Sequence, residues 1–180
     1  MDTVIEDLSA EHGLLNRCML IYDKCIELLQ NDIYVSHKIP HLTALIIRTF
    51  IEDHHEKTEE THIFPIVLPH NPALIKTLIE QHKTGRTMTS HILNYTDNSS
   101  IFSKNKQSVC QHMMEFNRLY RRHAAYEDTV IFKQFKKLLS STEYVKLSEI
   151  LEKEEETMAH SYSELLKVCS RLEHILSINM

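Results

Sequence analysis

Two histidine–glutamate pairs stand out in this chain of 180 residues. His55 and Glu59 are four residues apart in HHEKTEETHIFP, and so are His123 and Glu127 in RRHAAYEDTVIF. On a helix that spacing puts both side chains on one face, one turn apart. One such pair arises by chance on many exposed helices. Here the two copies share more than the pair. Each is followed by an acidic residue, Glu60 or Asp128, and then by an apolar couple, Ile63-Phe64 or Ile131-Phe132. Two further histidines lie on apolar stripes: His12 between Leu8 and Leu15, and His82 between Leu78 and Ile92. Burying such a cluster without a partner is costly, and a bound cation supplies the partner. Four imidazoles and two carboxylates, with no thiolate, suit iron, with manganese or zinc as substitutes. Six side chains are too many for one ion with an open position. They fit two ions bridged by Glu59 and Glu127, as carboxylate-bridged pairs are built in bundle cores.

The elements that must hold these residues read as helices. The chain has only two glycines, four prolines and no tryptophan, so helix breakers are scarce. No alternating run or hairpin turn signals a strand. A first helix is expected over about 2–31, with Ile5, Leu8, His12, Leu15, Met19, Tyr22, Ile26 and Leu29 on its inner face. A second runs from about 36 to 64, with Pro40 in its first turn and Pro65 as its stop. A third covers about 71–95, and 96–100 reads as a loop. A fourth covers about 104–139, and a fifth about 142–176, capped from the Ser140–Glu143 stretch. The expected fold is all-α: an up-down antiparallel four-helix bundle over about 2–139 with an additional C-terminal helix, in one domain spanning 1–180. Alternate helices of such a bundle run in opposite directions. At about 1.5 Å per residue, His12, His55, His82 and His123 then lie roughly 14–22 Å from the same end. They share one slab of the core with both glutamates.

The other histidines fail one of these tests. His54 is rotated by about 100° from His55, and His91 faces away from His82. His112 shares a face with His123 but sits about 16 Å along the axis. His160 lies among Lys153, Glu156 and Glu164 on a charged face. His62, seven residues past His55, is the candidate for the floor of the site. His37, His41, His70 and His174 fall near helix ends or loops.

Composition bounds the remaining possibilities. The chain is 42% hydrophobic and 25% charged, as a globular domain is. A net charge of -5 gives no reason to expect nucleic acid or an anionic membrane as partner. Cys18, Cys25, Cys110 and Cys169 form no CxxC pair and sit in amphipathic stretches, as buried thiols do. The acidic N-terminus does not read as a signal peptide, and no apolar run approaches bilayer length, so a cytoplasmic protein is expected.

The combined pattern resembles the hemerythrin-like, or HHE cation-binding, domain family. The residues that carry the resemblance are His12, His55-x-x-x-Glu59, His82 and His123-x-x-x-Glu127. Glu11 before His12, Ile63-Phe64-Pro65, and Gly85-Arg86 after His82 fit as well. The resemblance covers nearly the whole chain. It implies a non-haem di-iron centre with an oxo or hydroxo bridge that meets O2, NO or peroxide. Oxygen-carrying members have a histidine four residues after the one on the third helix; here that position is Arg86. Their fourth helix pairs histidine with aspartate five residues on; here Glu127 comes at four. One iron therefore lacks a histidine, which points away from reversible O2 carriage and towards sensing or iron handling. Glu56, Tyr126 and Glu155 are candidates to fill the gap, each with a solvated or supporting role as its alternative. An enzyme is the competing reading: peroxide disproportionation, or iron–sulfur cluster repair. The repair proteins usually carry a cysteine-containing segment before the first bundle helix, and this sequence begins at that helix. A sensor would need a partner chain or a homodimer for its output, and the C-terminal helix would cover the bundle or form a dimer contact.

Overall fold

The computed structural model describes residues 3–178. Five long helices account for nearly all of it, and no strand occurs among the described residues. Helix α1 is Thr3–Gln30. Helix α2 is continuous over 38–67. Helix α3 is Pro72–Thr96. Helix α4 is continuous over 99–138, and α5 is Ser141–Ile175. The links are short, and each reverses the chain. Asp32, at φ 55°, closes α1 in the left-handed region that Asp tolerates.

Contacts along the helices fix their directions. On α1 and α4, Ser9 meets Asp128 while Asp23 meets Asn117, so the two are antiparallel. On α3 and α4, His82 meets His123 while His91 stacks on His112. On α2 and α3, Arg48 meets Ser90 while Glu60 meets His82. Helix α5 lies in the groove of α1 and α2. Arg17 of α1 holds Glu173 through two hydrogen bonds of 2.7 Å, and Phe50 of α2 stacks on Tyr162. The architecture is thus a four-helix bundle with a fifth helix laid along one side.

Two apolar clusters fill the bundle. The larger is built on Leu14, Ile21, Tyr22, Phe50, Phe116 and Tyr120. The smaller gathers Ile63, Phe64, Ile75, Leu78, Phe132 and Phe135 at the other end. Helix α5 reaches both, with Leu151 in the smaller and Cys169 and Leu172 in the larger. The buried polar residues lie between them.

Several helix boundaries differ from expectation for identifiable reasons. The expected start at residue 2 lies outside the described residues. Helix α4 begins at residue 99 rather than 104, because the Asn98 side chain accepts the Ile101 N–H at 3.0 Å as an N-cap. A loop-like Asn-Ser-Ser run was in fact a cap and a first turn. Pro65 does not stop α2, which continues to Val67. The preceding turn is π-helical, and Phe64 N–H donates to the Glu59 carbonyl five residues back. The α-helical ladder restarts there, so the missing N–H of Pro65 costs little. Ser140 and Glu143 form a reciprocal capping box that starts α5.

Candidate metal centre

Helices α2 and α4 widen into π-helix where the histidine–glutamate motifs lie. The π segments are Ile47–His55 and Glu59–Ile63 in α2, and Glu127–Ile131 in α4. Each π hydrogen bond spans one more residue than an α-helical one, and such turns are frequent at functional sites. Polar residues are buried on more than one face of α2 along these segments. In α2, Glu52, His54, His55, Glu56, Thr58 and Glu59 are all buried.

The structure brings His12, His55, Glu59, His82, His123 and Glu127 together, and all six are buried. Their ligand atoms form two groups. One contains His12, His55, Glu59 and Glu127, and the other Glu59, His82, His123 and Glu127. Both glutamates belong to both groups. His12 Nε2 and His55 Nε2 are 3.1 Å apart, and His82 Nε2 and His123 Nε2 are 2.9 Å apart. Two nitrogens bound at about 2.1 Å and at right angles to each other would stand about 3 Å apart. Glu127 spans the groups, with Oε2 3.3 Å from His12 Nε2 and Oε1 2.9 Å from His123 Nε2. Glu59 does the same at 3.7 Å from His55 Nε2 and 3.6 Å from His82 Nε2.

The other ring nitrogen of each histidine is held from outside. His12 Nδ1 meets Asp128 Oδ1 at 3.2 Å and His55 Nδ1 meets Glu11 Oε2 at 2.6 Å. His82 Nδ1 meets Glu60 Oε1 at 2.8 Å and His123 Nδ1 meets Gln81 Oε1 at 2.9 Å. A carboxylate or amide oxygen can only accept, so Nδ1 carries the proton and donates. Nε2 then faces inward, the arrangement that orients metal-bound imidazole. Phe132 stacks on His12 at 5.9 Å and Phe64 on His82 at 5.5 Å. The apolar couples of the two motifs thus wall the site.

These residues fit a cation. Glu59 and Glu127 are both fully buried, and none of their four carboxylate oxygens makes an aligned hydrogen bond. The short distance from Glu127 to His123 is a contact without hydrogen-bond alignment. Buried carboxylates without partners are expensive, and cations satisfy them. Electrostatics of the metal-free site point the same way. Burial and the neighbouring Glu127 charge push Glu59 well above the carboxylate range. Burial would raise Glu127 too, but His123, His12 and His82 hold it well below. Burial opposes charging His12, yet Asp128 and Glu127 raise its pKa to about 9. Burial also opposes charging His82, and Glu127 and Glu60 likewise raise it to about 9. His55 and His123 are lowered, chiefly by burial.

The other sequence candidates occupy distinct places. Glu56 is buried beside the His82 group, where Tyr120 Oη donates to its Oε1 and Arg86 Nη2 stands 2.8 Å from its Oε2. Burial lifts its pKa to about 7, against the pull of His82, Tyr120 and Arg86. Arg86 also donates to Glu60 Oε1 at 2.7 Å, so it braces the carboxylate behind His82. His62 is not on the floor of the site: it pairs with Glu154 of α5 at 3.4 Å. Tyr126 is 51% exposed. Glu155 accepts from His54 Nε2 at 2.7 Å and belongs to neither group. His54, expected on the outer face, is buried. The sequence reading also missed the roles of Glu11, Gln81, Glu60 and Asp128. For the last two the signal was present: an acidic residue directly follows each motif glutamate.

A helical bundle with two imidazole–carboxylate groups sharing a pair of glutamates defines a class of metal-binding proteins. The model of the hemerythrin HHE cation-binding domain matches residues 3–135, and the chain belongs to that family. It is also 35% identical over 156 residues to an uncharacterised protein of Mycobacterium bovis, and equally to uncharacterised proteins of two Mycobacterium tuberculosis strains. That match covers 85% of this chain but 61% of each relative, so the chain spans about three fifths of their length. No solved structure matches the chain.

Proposed function

We propose that this chain is a di-iron protein that binds or senses O2, NO or peroxide, or takes part in iron homeostasis. In this reading His12 and His55 hold one iron, His82 and His123 hold the other, and Glu59 and Glu127 bridge them. The observation that carries it is the sharing of two buried glutamates, with no aligned hydrogen bond on any of their oxygens, between two histidine pairs. An iron pair supplies redox change and an exchangeable coordination position for a small ligand. The protein's own residues do the rest. Asp128, Glu11, Glu60 and Gln81 fix the four rings. Phe64 and Phe132 keep water from two sides. Glu56 stands on the side where oxygen carriers have another histidine, with ligand atoms of Glu56, Glu60 and His82 within 4.8 Å of one another. A carboxylate at that place favours iron handling or sensing over reversible oxygen carriage.

The test is metal analysis with an optical spectrum. After loading with Fe2+ in air, about two irons per chain are expected, together with near-ultraviolet charge-transfer bands of a bridged iron pair. Protein that stays iron-free after loading would sink the reading.

A further inference from the structure

Among the described residues two further clusters combine imidazole with carboxylate; Glu56, Glu60 and His82 share His82 with the inner groups, and the other shares no residue with them. Glu11 of α1, His54 of α2 and Glu155 of α5 offer ligand atoms within 4.8 Å of one another. They lie where the fifth helix meets the bundle. His54 Nε2 donates to Glu155 Oε1 at 2.7 Å. Glu11 is 5% exposed. It gives Oε2 to His55 Nδ1 at 2.6 Å, while its Oε1 faces His54 Nε2 at 3.5 Å, beyond a well-formed hydrogen bond. This buried carboxylate oxygen is therefore aimed into the cluster, where it makes only a long ion-pair contact with His54.

The surroundings give a cation a route. A cavity of about 290 Å³ opens beside the cluster, with His54, Thr58, His62 and Glu154 among its walls. On the other side of Glu155, Asp7, Glu152 and Glu156 line a surface depression. The depression is acidic and concentrates cations at this seam, while the cavity mixes Asp53 and Glu154 with Lys57. Inward, Glu11 contacts His55 directly.

We propose that Glu11, His54 and Glu155 form a third, exchangeable site for a divalent cation of the Fe2+, Mn2+ or Zn2+ type, placed to receive metal from the cavity and pass it inward past His55. The handing-on rests on the di-iron reading above; the site itself does not. One imidazole and two carboxylates suit these ions and leave positions for water, which favours exchange. A cation displaces the proton on His54 Nε2 to solvent. Ligands of one ion stand about 3 Å apart, so His54 and Glu155 must separate by a few tenths of an ångström. Glu155 sits at the surface and is able to move.

The probe is Mn2+, followed by electron paramagnetic resonance and equilibrium dialysis on the full chain. Wild type should bind one more ion than E155Q. That ion should be the weakest held, with affinity falling in E155Q by at least the roughly 10–100-fold that losing a supporting hydrogen bond costs a metal site. E155D, which keeps the carboxylate, should retain it. Fe2+ uptake into the inner groups should be slower in E155Q while the final iron content of those groups is unchanged. Equal Mn2+ stoichiometry and affinity in wild type and E155Q would overturn the site. Unchanged uptake rates would overturn the handing-on. H123A separates this from the inner reading: it should lose inner metal and keep the outer ion. Wild type that holds only the E155Q-sensitive ion would sink the di-iron reading and leave the outer site standing.

Discussion

At the scale of single residues, the site is a set of imidazoles each held from both sides. His123 touches Glu127 and His82 inward and Gln81 outward, whereas His160 is exposed. H123A should therefore lose about half of the bound metal or more, while H160A keeps it; equal losses by metal analysis would contradict the assignment. Protonation gives a second expectation. In the metal-free protein His12 and His82 are raised from 6.5 to about 9. Their stabilising contacts are fully present below about pH 6.5 and are lost as pH rises through about 9. A metal ligand must give up its Nε2 proton, so metal binding at pH 7 should release protons from these two rings. His55 and His123 are lowered and already neutral there. Glu59, raised well above the carboxylate range, must also give up its proton to bind. Titration calorimetry in buffers of different ionisation enthalpy should show this release, and affinity should increase as pH rises from about 6.5 to about 9. A pH-independent affinity between 6.5 and 9 would contradict it.

At the scale of elements, helix spacing around the site depends on one small residue. A Cβ built on Gly85 would lie 2.1 Å from the Tyr120 hydroxyl and 2.6 Å from two of its ring carbons. Gly85 lets α3 approach α4 closely enough for Tyr120 to donate to Glu56. Gly85→Ala should cost about 1–3 kcal/mol, as overpacking does. Chemical denaturation of the metal-free protein measures it; unchanged stability would mean that Tyr120 swings away freely. Helix α5 matters at the same scale. His54 lies about 100° around α2 from His55. Both are buried because α5 covers the face that carries His54, which meets Glu11 and Glu155 instead of water.

At the scale of the molecule, the bundle carries a polar slab between two apolar clusters. Burying Glu59 and Glu127 side by side with no aligned hydrogen bond on their oxygens works against the metal-free fold. Metal should therefore stabilise the whole chain. Free metal at 100 times the dissociation constant adds about 2.7 kcal/mol per independent site. For a domain of this size, each kcal/mol corresponds to roughly 2–4 °C in Tm. Thermal melts with and without a chelator should differ by at least several degrees; coincident melts would argue against structural coupling of the clusters. Helix α5 adds the groove in which the outer cluster lies, and it joins both apolar clusters through Leu151 and Leu172.

Much of this was legible in the sequence. Scarce breakers and stripes such as Leu8-His12-Leu15 determine long helices, because apolar spacing and helix propensity are local properties. The duplicated His-x-x-x-Glu motif marks His55, Glu59, His123 and Glu127, because residues one turn apart share a face. What the fold decided was which distant residues meet. Glu11 behind His55, Gln81 behind His123, and Glu155 against His54 are side-chain contacts between separate helices, and no local period encodes them. The π turns were hidden for the same reason. They shift the inward face by a fraction of a turn, and only packing across the bundle determines where that shift occurs.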